Sequence, residues 1–409
     1  MRILHTADWH LGDRLGRIDR TDDLRRAVER IADYCLGENV DVLLVAGDLF
    51  SELARADALR DAIRHLQATF GKFMHRGGTI LAITGNHDNE NFCQTLWHAM
   101  SLASPATGVA GGRAEPGRLH LATHPSLLRL ADPREGFDVQ FVLMPFPTPN
   151  VYLADQPGLR YGSLDEKNRA LVAAFSAKLQ AVRDDPLFAK GVPTVLAAHL
   201  SVMGGELSTR FRLTEQQDIV LSADAVPPGF AYVALGHIHK PQFLGGNPNV
   251  RYAGSIERLD LGEKNDTKTV VVFDLGPGGV RGEPIELPLT ATPIYEVDVS
   301  DPAAQIPTLA ERFPDAQNDL VNLHITYTAG VDNLEEVLRQ LEAVFPRWYA
   351  RDWAERGALG APLTVGDADR NKSFETTVRD YLTAELTNHA DAERAAVLDR
   401  AETLLREMI

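Results

Sequence analysis

Residues 42–48 of this 409-residue chain read Val-Leu-Leu-Val-Ala-Gly-Asp, which is a run of five apolar residues followed by a turn and a carboxylate. The same order recurs at residues 80–88, Ile-Leu-Ala-Ile-Thr-Gly-Asn-His-Asp, and near the start, where Ile3 and Leu4 lead to Asp8. Strands that are apolar throughout are typical of sheets covered on both faces. The three stretches therefore predict buried strands in a layered α/β fold.

Segments with helical spacing separate these strands. Apolar residues at intervals of three and four predict a helix after the first strand, capped by Thr21 and ended by Gly37. A second helix is predicted after Ser51, with its apolar stripe at Leu59, Ile63, Leu66 and Phe70. The alternation of strand and helix supports the α/β fold class.

The rest of the chain continues this alternation and then changes character. Further strands are predicted at residues 119–121, 139–143, 192–198, 232–235 and 270–273, with a helix over residues 164–184. The Gly-Pro-Gly-Gly turn at 276–279, together with Pro284 to Pro293, predicts a boundary. The chain is thus divided into a main domain (1–285), a small α/β module (290–356), a glycine-containing linker (357–372) and a helical tail (373–409).

The composition of the chain excludes several classes of protein. The net charge is −16, which argues against a protein that coats nucleic acid by bulk electrostatics. Local basic groups remain candidates for such contacts, and they are Arg14, Arg17, Arg20, Arg210, Arg212, Lys240, Arg251 and Arg258. The two cysteines, Cys35 and Cys93, stand in helix-like patterns, which excludes a disulfide framework and favours a reducing cytoplasm. No leader or membrane-spanning run is apparent, so we expect neither export nor membrane insertion.

Polar residues that can bind metals follow five separate apolar strands. They are Asp8, His10, Asp48, Asn86, His199, His237 and His239. In open α/β sheets ligands gather beyond the carboxyl ends of the strands, so we expect these side chains to converge at one edge. A single histidine or aspartate of this kind is usually structural, but their coincidence at five strand ends predicts a metal site.

The ligand types and their number indicate the metals. Imidazole combined with carboxylate and amide oxygen, without thiolate, suits manganese, iron(II) or zinc. Seven ligands are too many for one ion, and two ions about 3.5–4 Å apart suit phosphoryl chemistry. Asp48 is expected to bridge them, since it stands alone at its strand end. Within Asp8-x-His10 and His237-x-His239, an extended backbone would place both side chains on the same side.

His87 stands beside a predicted ligand. Oriented by a carboxylate such as Asp88, it could protonate a leaving oxygen or stabilise phosphoryl charge. The alternatives are an additional metal ligand or a structural hydrogen bond. We predict His87 and Asp88 to be catalytic residues.

These motifs, in this order, resemble the calcineurin-like metallophosphoesterase superfamily. The opening Asp8-Trp9-His10-Leu11-Gly12 and the stretch Arg251–Arg258 are similar to the SbcD family of DNA-repair nucleases. The resemblance implies a layered calcineurin-like sandwich with a capping domain. It also implies one ion held by Asp8, His10, Asp48 and His239, and another held by Asp48, Asn86, His199 and His237.

The resemblance further implies function and partners. We expect manganese-dependent exonuclease and endonuclease action on DNA, an SbcC ATPase whose coiled-coil root binds the tail, and a homodimer that forms a heterotetramer with SbcC. Leu96, Trp97 and Met100 are candidates for the dimer face, with core packing as the alternative. A small-nucleotide phosphodiesterase or phosphatase of the same superfamily is the closest rival. The non-enzymatic alternative is a DNA-end scaffold with a vestigial site.

Overall fold

The structure is a computed structural model that describes residues 1–103, 119–156, 158, 160–206, 219–222, 228–356, 383, 397, 398 and 400. The predicted linker, 357–372, lies outside the described residues. So does the predicted tail, 373–409, apart from the four isolated positions.

The described helices and strands follow the predicted alternation. The helices are α1 Thr21–Gly37, α2 Ala56–His75, α3 Glu90–Ala103, α4 Pro149–Tyr152, α5 Leu164–Asp184, α6 Pro302–Arg312 and α7 Leu334–Val344, with a 3₁₀ turn at Leu261–Glu263. The strands are β1 Arg2–Thr6, β2 Arg14–Leu15, β3 Ile18–Asp19, β4 Val42–Ala46, β5 Thr79–Ile83, β6 Leu119–Ala122, β7 Ser126–Ala131, β8 Asp138–Met144, β9 Thr194–His199, β10 Ser201–Val202, β11 Val220–Leu221, β12 Tyr232–Gly236, β13 Gln242–Leu244, β14 Asn247–Tyr252, β15 Thr269–Gly276, β16 Gly279–Pro288, β17 Ile294–Val299, β18 Leu320–Tyr327 and β19 Trp348–Glu355.

Two six-stranded sheets form a sandwich. Their strand orders are β16-β15-β1-β4-β5-β6 and β13-β14-β12-β9-β8-β7. Residues of both sheets share one core between them, while α1, α2 and α3 cover the first sheet and α4 and α5 cover the second. The layered α/β fold class is therefore confirmed.

The covering of both faces explains the uninterrupted apolar strands. In β4, Leu43 and Val45 face the helices, whereas Val42 and Leu44 face the second sheet. Successive side chains of a strand point to opposite faces, so a strand between two apolar layers needs apolar residues at every position.

Parallel pairing aligns the strand ends that lead to the predicted ligands. β1, β4 and β5 run parallel, with Thr6 opposite Val45 and Ala46 opposite Ile83. In the second sheet β9 and β12 run parallel, with His199 opposite Gly236. The carboxyl ends within each sheet therefore lie side by side.

The structure corrects both predicted helix starts. Thr21 is the first residue of α1, and the preceding Arg20 occupies the cap position without a capping side-chain hydrogen bond. Helix α2 begins at Ala56 rather than directly after Ser51. The Ser51 hydroxyl donates to Asp13 Oδ1 at 3.0 Å and accepts from the Leu53 N–H, which stabilises a turn before the helix.

The predicted boundary turn belongs to the sandwich. Residues 276–279 connect β15 and β16, which pair antiparallel as a hairpin, so this turn does not separate domains. β16 continues to Pro288, past residue 285. A hairpin turn and an interdomain linker share the same Gly and Pro composition, which explains the error.

The small α/β module consists of the sheet β17-β18-β19 with α6 and α7, around a core of its own. Asp301 and Asn333 accept backbone hydrogen bonds at the starts of these helices. A second apolar cluster joins the module to the sandwich through Ile294 and Leu320, which pack with Leu261.

The chain divides into two compact units, Met1–Ile325 with Asn333–Asp352, and Thr326–Asp332 with Trp353–Ile409. As far as it is described, the second unit contains the ends of β18 and β19 and the turn at 328–332. Among the described residues, no helix has the length and apolarity needed to cross a bilayer.

Candidate metal centre

The loops after β1, β4, β5 and β12, together with the last residue of β9, bring the seven predicted ligands to one edge of the sandwich. Three of these five strands belong to the first sheet and two to the second. Asp8, Asp48 and His199 have no solvent exposure, and His10, His237 and His239 are nearly as buried. Isolated charges would be costly at such positions, so a compensating positive charge is required.

Four of these residues adopt left-handed backbone conformations. The φ angles are 53° at Asp8, 47° at His10, 51° at Asp48 and 94° at His237. The D-x-H and H-x-H segments each contain left-handed residues, so the extended backbone on which the predicted side-chain orientation depended is not present. The backbone turns sharply after β1, β4 and β12, a strain that commonly occurs at functional sites, and these turns direct the side chains into the site.

The first group of side chains is Asp8, His10 and His239. One ligand atom from each lies within 4.8 Å of the others. The His239 Nε2 is 4.0 Å from Asp8 Oδ1. Both carboxylate oxygens of Asp8 also accept the backbone N–H of His237, at 3.0 and 3.2 Å, which orients this carboxylate.

The second group is Asn86, His199 and His237. The Asn86 Oδ1 lies 3.1 Å from His199 Nε2 and 2.8 Å from His237 Nδ1. This group therefore contains the amide oxygen and two imidazoles from three different strand ends.

Asp48 lies between the two groups. Its Oδ2 is 3.6 Å from His10 Nε2 and 3.2 Å from His199 Nε2. Its Oδ1 accepts the His87 backbone N–H at 2.8 Å. Oδ2 is buried and has no well-aligned hydrogen bond among the described residues. An ion on either side would satisfy it, so Asp48 suits the predicted bridging position.

The tautomer of His199 tests whether the site fits a cation. Its Nδ1 is 2.7 Å from the carbonyl oxygen of Ala46, so Nδ1 carries the proton. In the neutral ring, the Nε2 lone pair then faces Asn86 Oδ1 and Asp48 Oδ2, so no hydrogen lies between these three acceptor atoms among the described residues. Burial disfavours a charged ring, but the negative charges of Asp48 and Asp8 outweigh burial and raise the pKa of His199 to about 9. The site demands positive charge, and metal ions would supply it.

Two glycines make room for this arrangement. A Cβ on Gly85 would lie 2.1 Å from Asp48 Oδ1. A Cβ on Gly47, which has a φ of 95°, would lie 2.1 Å from His199 Nδ1. Any side chain at either position would displace a candidate ligand.

His87 lies on the more open side of the site. Its side chain is 24% exposed, and its Nδ1 is 3.7 Å from Glu52 Oε1. Its ring centroid lies 4.8 Å from that of His10. A side chain so placed can reach a bound substrate without being enclosed among the ligands.

The Asp88 carboxylate binds backbone rather than standing free in the site. It accepts the N–H of Gly85 at 2.8 Å, of Phe50 at 2.8 Å and of Leu49 at 3.3 Å. Burial and the nearby charge of Asp48 raise its pKa to about 7. Asp88 thus ties together the turn that carries Asp48 and the turn that carries Asn86.

Sequence reasoning missed Glu263 and Lys268. Both are buried, and the Glu263 Oε1 accepts a hydrogen bond from His239 Nδ1 at 2.8 Å. Neither follows an apolar strand that ends in a ligand, and only the fold brings them to the site. The sequence Asp-Leu-Gly-Glu-Lys at 260–264 contains no pattern that would indicate that Glu263 contacts a metal ligand.

Several basic residues proposed as nucleic-acid contacts have other partners. Arg20 is buried and pairs with Asp23, and Arg251 is buried and pairs with Glu286. Burial excludes both from a surface that contacts a ligand. Lys240 pairs with Glu206 at the surface. Arg210 and Arg212 lie outside the described residues.

The proposed dimer face is also partly internal. Leu96 and Met100 pack against the core beneath α1, α2 and α3, as the alternative interpretation expected. Trp97 is 39% exposed. Of the three, Trp97 offers the most surface to a second chain.

A two-sheet α/β sandwich with buried Asp and His side chains and a half-buried Asn at its strand ends defines a metal-dependent phosphoesterase. The family model of calcineurin-like phosphoesterases matches residues 1–241. Among curated proteins, the chain is similar to the SbcD component of nuclease SbcCD from Rhodobacter capsulatus, at 33% identity over 70% of this chain and 69% of that protein.

The SbcD proteins of Escherichia coli K12 and Bacillus subtilis are 26% and 29% identical to this chain. These alignments cover 84% and 68% of this chain, and 82% and 67% of the respective proteins. The chain therefore belongs to the calcineurin-like phosphoesterase family and, within it, to the SbcD family.

Proposed function

We propose that this chain is a manganese-dependent nuclease that hydrolyses DNA phosphodiesters as the SbcD component of an SbcCD-type complex. The observation that carries the proposal is the position of Asp48 between two groups of candidate ligands. The relatives are named as components of the nuclease SbcCD, which supports DNA as the substrate. The activities proposed are exonuclease action on double-stranded ends and endonuclease action on single strands and hairpins.

Each group of ligands, together with Asp48, would hold one divalent ion. When bound, the two ions supply Lewis-acid activation of the phosphoryl group and of water. His87 protonates the leaving oxygen or stabilises charge on the phosphoryl group, from the open side of the site. Asp88 contributes by holding the turns of Asp48 and Asn86 in place through its three backbone contacts.

The test is a nuclease assay of the full chain on single-stranded, hairpin and blunt duplex DNA with manganese, magnesium or zinc. We expect cleavage that is greatest with manganese and absent in the Asp48→Asn variant. A small phosphodiester, bis(p-nitrophenyl) phosphate, is assayed in parallel. Its hydrolysis without any DNA cleavage would favour a small-nucleotide phosphodiesterase, and inactivity on every substrate would favour a scaffold.

We propose SbcC as the partner, a homodimer as the core of a heterotetramer with SbcC, and the cytoplasm as the location. The contact with the SbcC coiled-coil root is assigned to the predicted tail, 373–409, because its apolar residues follow two helical stripes. Truncation after residue 365 should leave a manganese-dependent nuclease that no longer co-purifies with SbcC. Undiminished binding of SbcC by the truncated chain would refute this assignment.

A further inference from the structure

The 3₁₀ turn Leu261–Glu263 places a buried carboxylate against a candidate metal ligand. Glu263 Oε1 accepts a hydrogen bond from His239 Nδ1 at 2.8 Å, while the opposite ring nitrogen, Nε2, faces Asp8. With Nδ1 as donor, Nε2 is left with its lone pair directed into the site. Histidines that bind metals are commonly oriented in this way by a carboxylate behind them.

Lys268 holds the Glu263 carboxylate in place. The Lys268 side chain is fully buried, and its Nζ lies 2.6 Å from Glu263 Oε2. The same ammonium donates to the backbone carbonyl of His239 at 2.9 Å. Glu263 Oε2 also accepts the Ser255 hydroxyl at 2.9 Å. His239 is thus held at its ring by Glu263 and at its backbone by Lys268.

We propose that Glu263, held by Lys268, is a positioning residue that fixes the tautomer and direction of His239 for the ion of the first group. The inference rests on the proposed metal site, and it concerns one of the two ions. Glu263 hydrogen-bonds to His239, which is a member of the first group of ligands. Its loss should therefore weaken binding of the ion of the first group and spare the ion of the second group.

The test measures manganese binding to the full-length Glu263→Gln variant by calorimetry and by metal content after dialysis. We expect the affinity for one ion to fall about 10- to 100-fold, with the other unchanged. Activity should return when manganese is raised, so the half-saturating manganese concentration increases while kcat at saturation changes little. A merely structural role would lower stability without shifting that concentration.

Glu257→Gln is the matched control. Glu257 is a glutamate of similar burial in the same stretch, but it accepts hydrogen bonds from the N–H and hydroxyl of Thr292 instead. We expect this variant to be less stable and to bind manganese as the unmodified chain does. Equal weakening of manganese binding in both variants would overturn the proposal, as would unchanged binding in Glu263→Gln.

If Glu263→Gln does not fold, because buried Lys268 loses its nearer carboxylate and keeps only Asp266 at 3.3 Å, the double variant Glu263→Gln/Lys268→Met removes the Glu263 and Lys268 charges together. The same loss of one ion is expected, and two tightly bound ions would refute the proposal. Failure of the proposed function is distinguishable, since it would appear as an unmodified chain that binds two ions yet leaves DNA intact.

Discussion

The Nε2 of His199 lies 3.2 Å from Oδ2 of Asp48, and neither side chain has any solvent exposure. His199 ends β9 of the second sheet, whereas Asp48 follows β4 of the first sheet. The candidate metal centre therefore lies across the two sheets of the sandwich. Ions bound there would connect the sheets as well as perform chemistry.

Metal binding should accordingly raise thermal stability. A ligand present at 100 times its Kd adds about 2.7 kcal/mol to the free energy of unfolding, which corresponds to a rise in Tm of about 3 °C for a chain of this length. We expect manganese to raise the Tm measured by calorimetry and EDTA to reverse the rise. An unchanged Tm at saturating manganese would contradict a site that joins the sheets.

Replacing Asp48 by Asn should abolish cleavage and leave at most one weakly held ion. The side chain keeps its size but loses the negative charge that serves both groups of ligands. Metal content after gel filtration measures the effect. Asp132→Asn, which alters a buried carboxylate away from the site, should retain two ions. Two tightly held ions in Asp48→Asn would exclude the bridging role.

Replacing His87 by Ala should lower the rate of cleavage about 10²-fold or more while both ions stay bound. This loss is usual for a positioned acid or charge stabiliser. Single-turnover rates on duplex DNA, together with metal content, check the prediction. His65→Ala on α2 is the control, since His65 pairs with Glu29 at the surface. Loss of an ion from His87→Ala would instead make His87 a ligand.

The buried side chain of His5 should make the stability of the folded chain sensitive to acid. Burial, with the nearby charge of Arg251, lowers its pKa from 6.5 to about 3. Between these values the unfolded chain binds a proton that the folded chain does not, so stability falls as the pH falls below 6.5. From pH 7 to pH 5 this costs about 2 kcal/mol of unfolding free energy.

The His5→Gln variant removes that titrating group. In urea unfolding with EDTA present, it should lose about 2 kcal/mol less than the unmodified chain between pH 7 and pH 5. The difference between the two chains isolates His5 from other groups that titrate in this range. Equal acid sensitivity would show that His5 titrates alike in the folded and unfolded states.

The strand ends were predictable because a buried strand needs apolar residues throughout. Val42–Ala46 was predicted with the bounds that the structure has, and helix Leu164–Asp184 likewise. Local turns were less predictable. Ser51 bonds to Asp13, 38 residues away in sequence, and this contact delays the start of α2. Such a contact leaves no periodic signal.

The candidate site was predictable only as far as its residues follow strands. Asp48 and His199 stand at strand ends, and their meeting requires only that the two sheets face each other. Glu263 and Lys268 reach His239 through a short turn, and no spacing rule connects them. The residues that support ligands are therefore harder to predict from sequence than the ligands themselves.

The left-handed backbone at Asp8, His10, Asp48 and His237 has a consequence for how this chain responds to selection. Each such conformation costs about 1–3 kcal/mol in a residue other than glycine. Where no metal ion is supplied to offset this cost, selection for heat resistance alone would favour replacements at these four positions, since a stabler backbone is available there. Screens in metal-free medium that select thermostable variants without a cleavage assay should accordingly accumulate inactive chains altered at these sites.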